Sequence, residues 1–344
     1  MTKLIRSTMD RLYAVRRLSP LKPVLNAADA ALFGTDETTG DRPHIADSID
    51  LKRYMLAVII ALLPSTLASI YFFGWRVVWM IIVSYVAGGL VEVIFAIVRK
   101  QEIHEGFFVT GIIFPLVLPP TTPLWIVAVG VIFGVFFGKE VFGGTGRNVF
   151  NPALVGRLFI TIAFPTIMTT YWQLPFSDAI TTATPLTLFK STQAVSPFLD
   201  LLLGRNCAGS MGETFRLGII LGGVFLLFTK VSNWRIPVSY LGSVLIFAWI
   251  GNSALPAKIA PPVFQLLSGG LLFGAMFMAT DPVTSPFTKA GKFVFGILCG
   301  LLTVLIRSFS GYVEGVMFSI VIMNAFTPLI DRVILGIKYR PVKI

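Results

Sequence analysis

From Tyr54 onward the chain alternates long apolar stretches with short polar or Gly/Pro-rich punctuation. A helix needs about 20 predominantly apolar residues to cross the hydrocarbon core of a bilayer. Against that length the pattern predicts helices over residues 54–74, 77–98, 106–118, 124–142 and 149–165, then over 215–229, 236–251, 262–280, 292–309 and 312–330. The third segment is too short to span comfortably. Gly143-Gly144-Thr145-Gly146-Arg147-Asn148 and Asn151-Pro152 separate the fourth from the fifth, while Ser268-Gly269-Gly270 and Thr280-Asp281-Pro282 interrupt the second series at a comparable place. Short or broken segments at matching positions of two halves predict an inverted repeat with a site at its interface. An odd number of helices in each half turns the second half over.

The expected organisation is a basic arm (1–53), a first five-helix repeat (54–165), a polar loop (166–214), a second five-helix repeat (215–332) and a tail (333–344). Arg99 and Lys100, Lys139 and Arg147, Lys230 and Arg235, Lys289 and Lys292, and Arg332, Lys338, Arg340 and Lys343 follow the even-numbered helices. The positive-inside rule then predicts both termini in the cytoplasm and the 166–214 loop on the outer face. A loop of that length in a compact protein is usually functional or disordered. Thr181, Thr182, Thr184 and Thr187 crowd its centre, a pattern that also suits a loop satisfying its own backbone.

Composition sharpens the class. The 344 residues are 55% hydrophobic and 13% charged, with mean hydropathy +0.81, against about 25% charged in soluble domains. The expectation is an all-α polytopic membrane protein, with glycines allowing close helix packing. The net charge of +11 follows from basic cytoplasmic loops facing anionic lipid and calls for no nucleic acid. Cys207, Cys299, His44 and His104 are too few for a Cys/His metal site or a disulfide framework. The first 50 residues lack the apolar core of a cleavable signal, so the first spanning helix is expected to act as the insertion signal.

Several residues stand out against this background. Glu92 lies in the second helix behind Gly88-Gly89; it suits a cation or proton site, or a carboxylate that pairs with Arg99. Gly88 and Gly89 either pack helices or open a slot for a flat ring. Arg157, inside the fifth helix, suits an ion pair with Glu140 or Glu92, or a clamp on an anionic or carbonyl group. The Gly143–Asn151 stretch places backbone amides and two asparagines at the start of the fifth helix, which suits a bound polar ring or phosphate. Asp281 and Asp331 end helices, where a capping role competes with ion binding.

Several independent motifs, in order, carry a resemblance: Asp47–Arg53, Glu105–Thr110, Lys139–Asn148, Asn151-Pro152-Ala153-Leu154 and Met278–Val283. Together they resemble the B-type membrane subunit of the Na+-translocating NADH:quinone oxidoreductases. Ala183–Leu186 and Ile306–Phe309 are also similar to the homologous D-type subunit of Rnf complexes, which take electrons from ferredoxin. The resemblance implies a fold like the urea and ammonium channels and a bacterial inner-membrane location. It implies FMN attached by a phosphoester to Thr184, the last residue of Thr181-Thr182-Ala183-Thr184, where Thr182 replaces the usual glycine. It also implies quinone at Gly88 and Gly89, a Na+ path through Glu92 and Asp331, and noncovalent riboflavin, placed beside Gly143, Gly144, Asn148 and Asn151 with Arg157 nearby. The implied partners are the flavin-bearing C-type and NADH-oxidising F-type subunits, the A-, D- and E-type membrane subunits, and a periplasmic flavin transferase. Electrons would pass from the partner's FMN to Thr184, then to riboflavin and quinone. A small-solute channel and a purely structural scaffold are the readings from other classes.

Overall fold

A computed structural model describes residues 51–100, 106–177 and 182–339. Residues 1–50 of the arm, 340–344 of the tail, and Thr181 lie outside the described residues. Every regular element among the described residues is helical. The first group is α1 (Leu51–Phe73), α2 (Arg76–Arg99), α3 (Gly106–Leu116), α4 (Leu124–Gly138) and α5 (Pro152–Ala163). The polar connection holds α6 (Pro165–Thr170), α7 (Pro185–Thr192), α8 (Phe198–Leu203) and a 3-10 turn at Met211–Glu213. The second group is α9 (Arg216–Phe228), α10 (Arg235–Ala254), α11 (Pro262–Leu267), α12 (Leu271–Phe273) running into a π turn at Gly274–Met278, α13 (Lys289–Phe309) and α14 (Val316–Lys338).

Among the described residues, six helices are long and apolar enough to cross a membrane: Arg53–Phe73, Arg76–Arg99, Leu124–Phe142, Arg235–Ala254, Lys289–Phe309 and Val316–Lys338. Their outward residues are large and apolar, among them Leu67, Val86, Ile94, Ile246 and Phe326. The helices α3, α5 and α9, of 11, 12 and 13 residues, are shorter than a crossing requires.

The expected limits shift where local chemistry dictates. The fourth segment leaves α geometry at Lys139 (φ −131°, ψ −59°) and closes with a 3-10 turn at Glu140–Phe142. The fifth starts at Pro152, because Asn151 caps it through Ala153 N (3.0 Å) and Leu154 N (3.4 Å); proline at the first helical position forfeits no hydrogen bond. The eighth, expected as one helix over 262–280, is broken: Ser268 is extended and Gly269 takes φ +61°. The tenth starts four residues later than expected, where the Glu314 carboxylate accepts from Gly315 N (3.1 Å) and Val316 N (3.2 Å). It then runs past residue 332 to Lys338.

Within the first group α2 packs on α3 and α4, α4 on α5, α1 on α3, and α3 on α5. The second group repeats the scheme: α10 packs on α11 and α13, α13 on α14, α9 on α12, and the π turn on α14. Short stretches of the two groups also match in sequence, at one spacing around α3 and at a shorter one for α2. Gly106, Gly111, Phe114, Pro119, Thr121 and Pro123 recur at one constant spacing as Gly269, Gly274, Phe277, Pro282, Thr284 and Pro286, and Val83-Ser84-Tyr85 of α2 recurs as Val238-Ser239-Tyr240 of α10. The groups meet where α1 packs on α9 and α5 on α14.

The α1–α9 contact is backbone against backbone, since a methyl group at Gly222 would overlap the Ala61 carbonyl oxygen. Carbonyl oxygen on a packed helix has no rotamer with which to give way. Gly222→Ala is therefore expected to destabilise the protein by about 1–3 kcal/mol, the range for overpacking. Thermal unfolding in detergent beside Gly242→Ala, where a methyl meets nothing within 4 Å, checks it: equal losses would refute the close approach.

Candidate functional site

Two cavities sit where broken helices meet. The first, about 180 Å³, lies under the polar connection and is lined by Arg157, Thr161, Trp172, Thr184, Thr187, Glu213, Arg216, Gly269, Tyr312 and Glu314 among others. The second, about 80 Å³, is lined by Gly106, Lys139, Thr145, Asn148, Asn151 and Asp281 with apolar neighbours from α1, α3 and α9.

Thr184 is the N-cap of α7, in extended conformation, with Pro185 at the first helical position. Its Oγ1 accepts from Thr187 N (3.3 Å) and is paired with Thr187 Oγ1 at 2.8 Å. The hydroxyl is half-buried and stands at the positive end of the helix, where backbone amides lack intrahelical partners. Ala183 beside it is exposed, and Thr182 is tied back to Trp172 O (3.1 Å) through its backbone amide.

The walls of the larger cavity carry buried charge. Arg157 pairs with Glu213 at 3.2 Å rather than with Glu140 or Glu92, the partners expected from sequence. Glu213, on the 3-10 turn, was not legible as a partner because it is far away along the chain. On α13, Arg307 pairs with Glu314 at 2.9 Å and donates to Gln265 O (2.7 Å) and Ser268 O (2.9 Å). It thereby satisfies carbonyls at the end of α11, whose helix stops there. Glu314 also accepts from Gly270 N at 2.8 Å, and a methyl at Gly270 would overlap the Glu213 carboxylate. Burial pushes the Glu213 carboxyl above its ordinary range, more than Arg157 pulls it down, and Glu314 adds to the rise. Glu314 sits lower: burial works upward, but Arg307, Arg157 and the Gly270 amide outweigh it. The Nε atoms of Arg157 and Arg216 are buried and have no hydrogen-bond partner. An intramembrane ionisable group is a functional signal by itself, and by that rule Arg307, inside an apolar helix, was the member of this cluster that the sequence could have disclosed.

The residues grouped around Gly143–Arg157 by sequence do not share one site. Asn148 and Asn151 line the smaller cavity, whereas Arg157 lines the larger one. Asn151 joins the two groups, donating from Nδ2 to Asp281 Oδ2 at 3.4 Å. Gly143 and Gly144 have φ +117° and +93° and turn the chain between α4 and α5; the space beside Gly143 holds the Arg147 side chain. At about 80 Å³ the smaller cavity is well below the usual size of a ligand site, about 300 Å³ upward.

Gly88 and Gly89 do admit a flat ring, and in this structure the ring is that of Phe107: a Cβ on Gly88 would lie 2.6 Å from it, and one on Gly89 3.5 Å. Glu92 is buried and paired with Lys139, not with Arg99, which pairs with Glu140 at 3.2 Å. Asp331 is buried and accepts from Phe287 N (3.0 Å), Thr288 N (3.1 Å) and Thr288 Oγ1 (2.5 Å), so it fastens α14 to the start of α13. No group of three or more His, Cys, Asp or Glu among the described residues is arranged to hold a metal.

The profile of the NQR2, RnfD, RnfE family matches residues 38–340. The chain is 35% identical to the B subunit of the Na(+)-translocating NADH-quinone reductase of Klebsiella pneumoniae subsp. pneumoniae, covering 94% of this chain and 95% of that protein. It is 34% identical to the B subunit of the same reductase from Yersinia pestis, over 94% of each. It is 36% identical to that of Pseudomonas aeruginosa, over 92% and 93%.

Proposed function

Since the chain belongs to the NQR2, RnfD, RnfE family, we propose that it is the B-type membrane subunit of a Na+-pumping NADH:quinone oxidoreductase and presents Thr184 as the attachment point of FMN. It is a multi-pass membrane protein and one subunit of an oxidoreductase complex. The observation that carries the flavin reading is the placement of the Thr184 hydroxyl: it caps α7, beside the Thr187 amide, on the wall of a cavity that also holds two buried arginines.

Attachment requires a phosphoanhydride-activated FMN donor. The Thr184 Oγ1–phosphorus bond forms as the phosphoanhydride bond breaks and the donor's other half leaves as a phosphate monoester; the hydroxyl proton passes to a base on the transferase, and nothing is oxidised or reduced. The half-buried hydroxyl at a chain turn is open to such an enzyme. Once formed, the diester sits at a helix N-terminus, where amides and dipole favour negative charge. A cavity of about 180 Å³ takes the phosphate end of the cofactor and leaves the ring at its mouth, toward partner subunits. A bound flavin supplies one- and two-electron transfer; the chain supplies position and electrostatics.

The local sequence matches and the repeated packing scheme support two inverted halves of five helical segments each, with α3 and the α11–α12 break as equivalent elements. An odd number of passes per half puts the Thr184 connection on the periplasmic face and both termini in the cytoplasm, as the distribution of basic residues requires. The family name covers Rnf subunits as well, and the full-length similarity to B subunits of NADH-quinone reductases favours the NADH-linked reading. Quinone near Gly88 and Gly89 requires Phe107 to swing aside. A cation at Glu92 must displace the Lys139 ammonium.

Uptake of 22Na+ by liposomes carrying the purified complex tests the reading. NADH with a quinone is expected to drive uptake. Uptake that requires reduced ferredoxin, or a proton gradient with no Na+ movement, would overturn it.

A further inference from the structure

The charge around the larger cavity does not balance. The charged residues that line it are Arg157, Arg216, Glu213 and Glu314, and both carboxylates are already engaged, Glu213 with Arg157 at 3.2 Å and Glu314 with Arg307, from outside the lining, at 2.9 Å. Among the described residues no carboxylate lies within ion-pair distance of Arg216. One of its terminal nitrogens donates to Leu201 O, and its Nε, like that of Arg157, has no partner. Arg216 and Arg157 are 2% and 3% exposed. A buried, unneutralised guanidinium is costly, and Arg216 lines the cavity with no carboxylate to balance it.

We propose that Arg216 is the counter-ion of a phosphodiester monoanion, namely the linkage that an FMN phosphate makes to Thr184. The assignment rests on the reading of Thr184 as the flavin acceptor. The pairing is independent of that reading: the Arg157–Glu213 and Arg307–Glu314 pairs leave the Arg216 charge over, and a phosphodiester carries one negative charge. Shape agrees, because planar guanidinium groups suit tetrahedral oxyanions with two free oxygens. The third wall of the cavity is the start of α7, where the Thr187 amide faces the oxygen that becomes the ester. Arg216 therefore positions the tether and takes no part in electron transfer itself. A phospholipid headgroup offers the same phosphodiester, so the test separates the two sources.

The intact complex, co-expressed with the transferase, is purified as native, Arg216→Gln, Arg216→Lys and Thr184→Ala forms. Mass spectrometry of the loop peptide measures FMN occupancy. Arg216→Gln is expected to lower occupancy about tenfold or more, the scale of one lost charge-assisted hydrogen bond, and Arg216→Lys to restore most of it. Native-like labelling of an assembled Arg216→Gln complex overturns the proposal. Should that variant not assemble, a density map of the native complex decides. Diester oxygens within about 3.2 Å of the Arg216 guanidinium support it, and oxygens in solvent or against another cation overturn it. Phosphate density at Arg216 that survives in Thr184→Ala assigns the site to lipid and also overturns it. Absence of FMN mass on the native loop peptide defeats the Thr184 reading itself, whatever Arg216 does.

Discussion

Thr184→Ala is expected to abolish the covalent flavin while leaving the chain folded. The hydroxyl's structural work is the N-cap of a single eight-residue helix, and loss of a threonine cap costs about 1 kcal/mol. Its chemical work has no substitute in the described structure: Thr187 lies inside the helix and donates its amide to the Thr184 oxygen, and Thr182 is held against Trp172. In-gel ultraviolet fluorescence of the denatured subunit should show a flavin band in the native chain and none in Thr184→Ala. Thr184→Ser, which keeps both cap and nucleophile, should recover it. A band of undiminished intensity in the alanine variant would move the acceptor elsewhere in the loop.

The second large effect concerns the ion pair between Glu92 and Lys139. Both side chains are buried, at 6% and 5% exposure. Removing one member of such a pair costs about 3–5 kcal/mol, because it strands the other charge, while replacing both with apolar or neutral groups is often nearly neutral. Lys139→Ala should therefore lower the unfolding temperature in detergent far more than the double variant Lys139→Met, Glu92→Gln. If the double variant is as damaged as the single one, the pair contributes by itself and the stranded charge does not set the cost. The same geometry bears on ion movement. Glu92 already holds a tethered cation, so a sodium ion that reaches it must compete with an ammonium that cannot diffuse away. Variants that neutralise Lys139 should change the Na+ dependence of turnover even where they fold.

Most helices were legible from the chain, for a simple reason. An apolar residue in lipid needs no partner to be stable, so runs of such residues mark helices locally, and punctuation such as Asn151-Pro152 marks their starts. Errors fell where a distant group sets the boundary. The 262–280 segment reads as one helix, yet Arg307 from α13 takes the carbonyls freed at Ser268 and Gln265, and Glu314 takes the Gly270 amide. Two side chains from later in the chain satisfy a break that would otherwise leave buried polar groups unpaired.

The candidate site divides in the same way. Glu92, Arg157 and Asp331 stood out because charge in an apolar helix is costly and therefore conspicuous. Their partners did not. Arg157 finds Glu213, Glu92 finds Lys139, and Asp331 finds the amides of Phe287 and Thr288, each across a stretch of chain that no local pattern spans.

The amino-acid sequence alone determined the class, the membrane environment and the family, because each depends on residue type and short-range order. Tertiary structure decided the pairing of buried charges, the separation of Arg157 from Asn148 and Asn151 into different cavities, and the surplus positive charge left at Arg216. Those depend on which surfaces meet, and a low-dielectric interior makes each such meeting decisive by penalising every charge that lacks a partner.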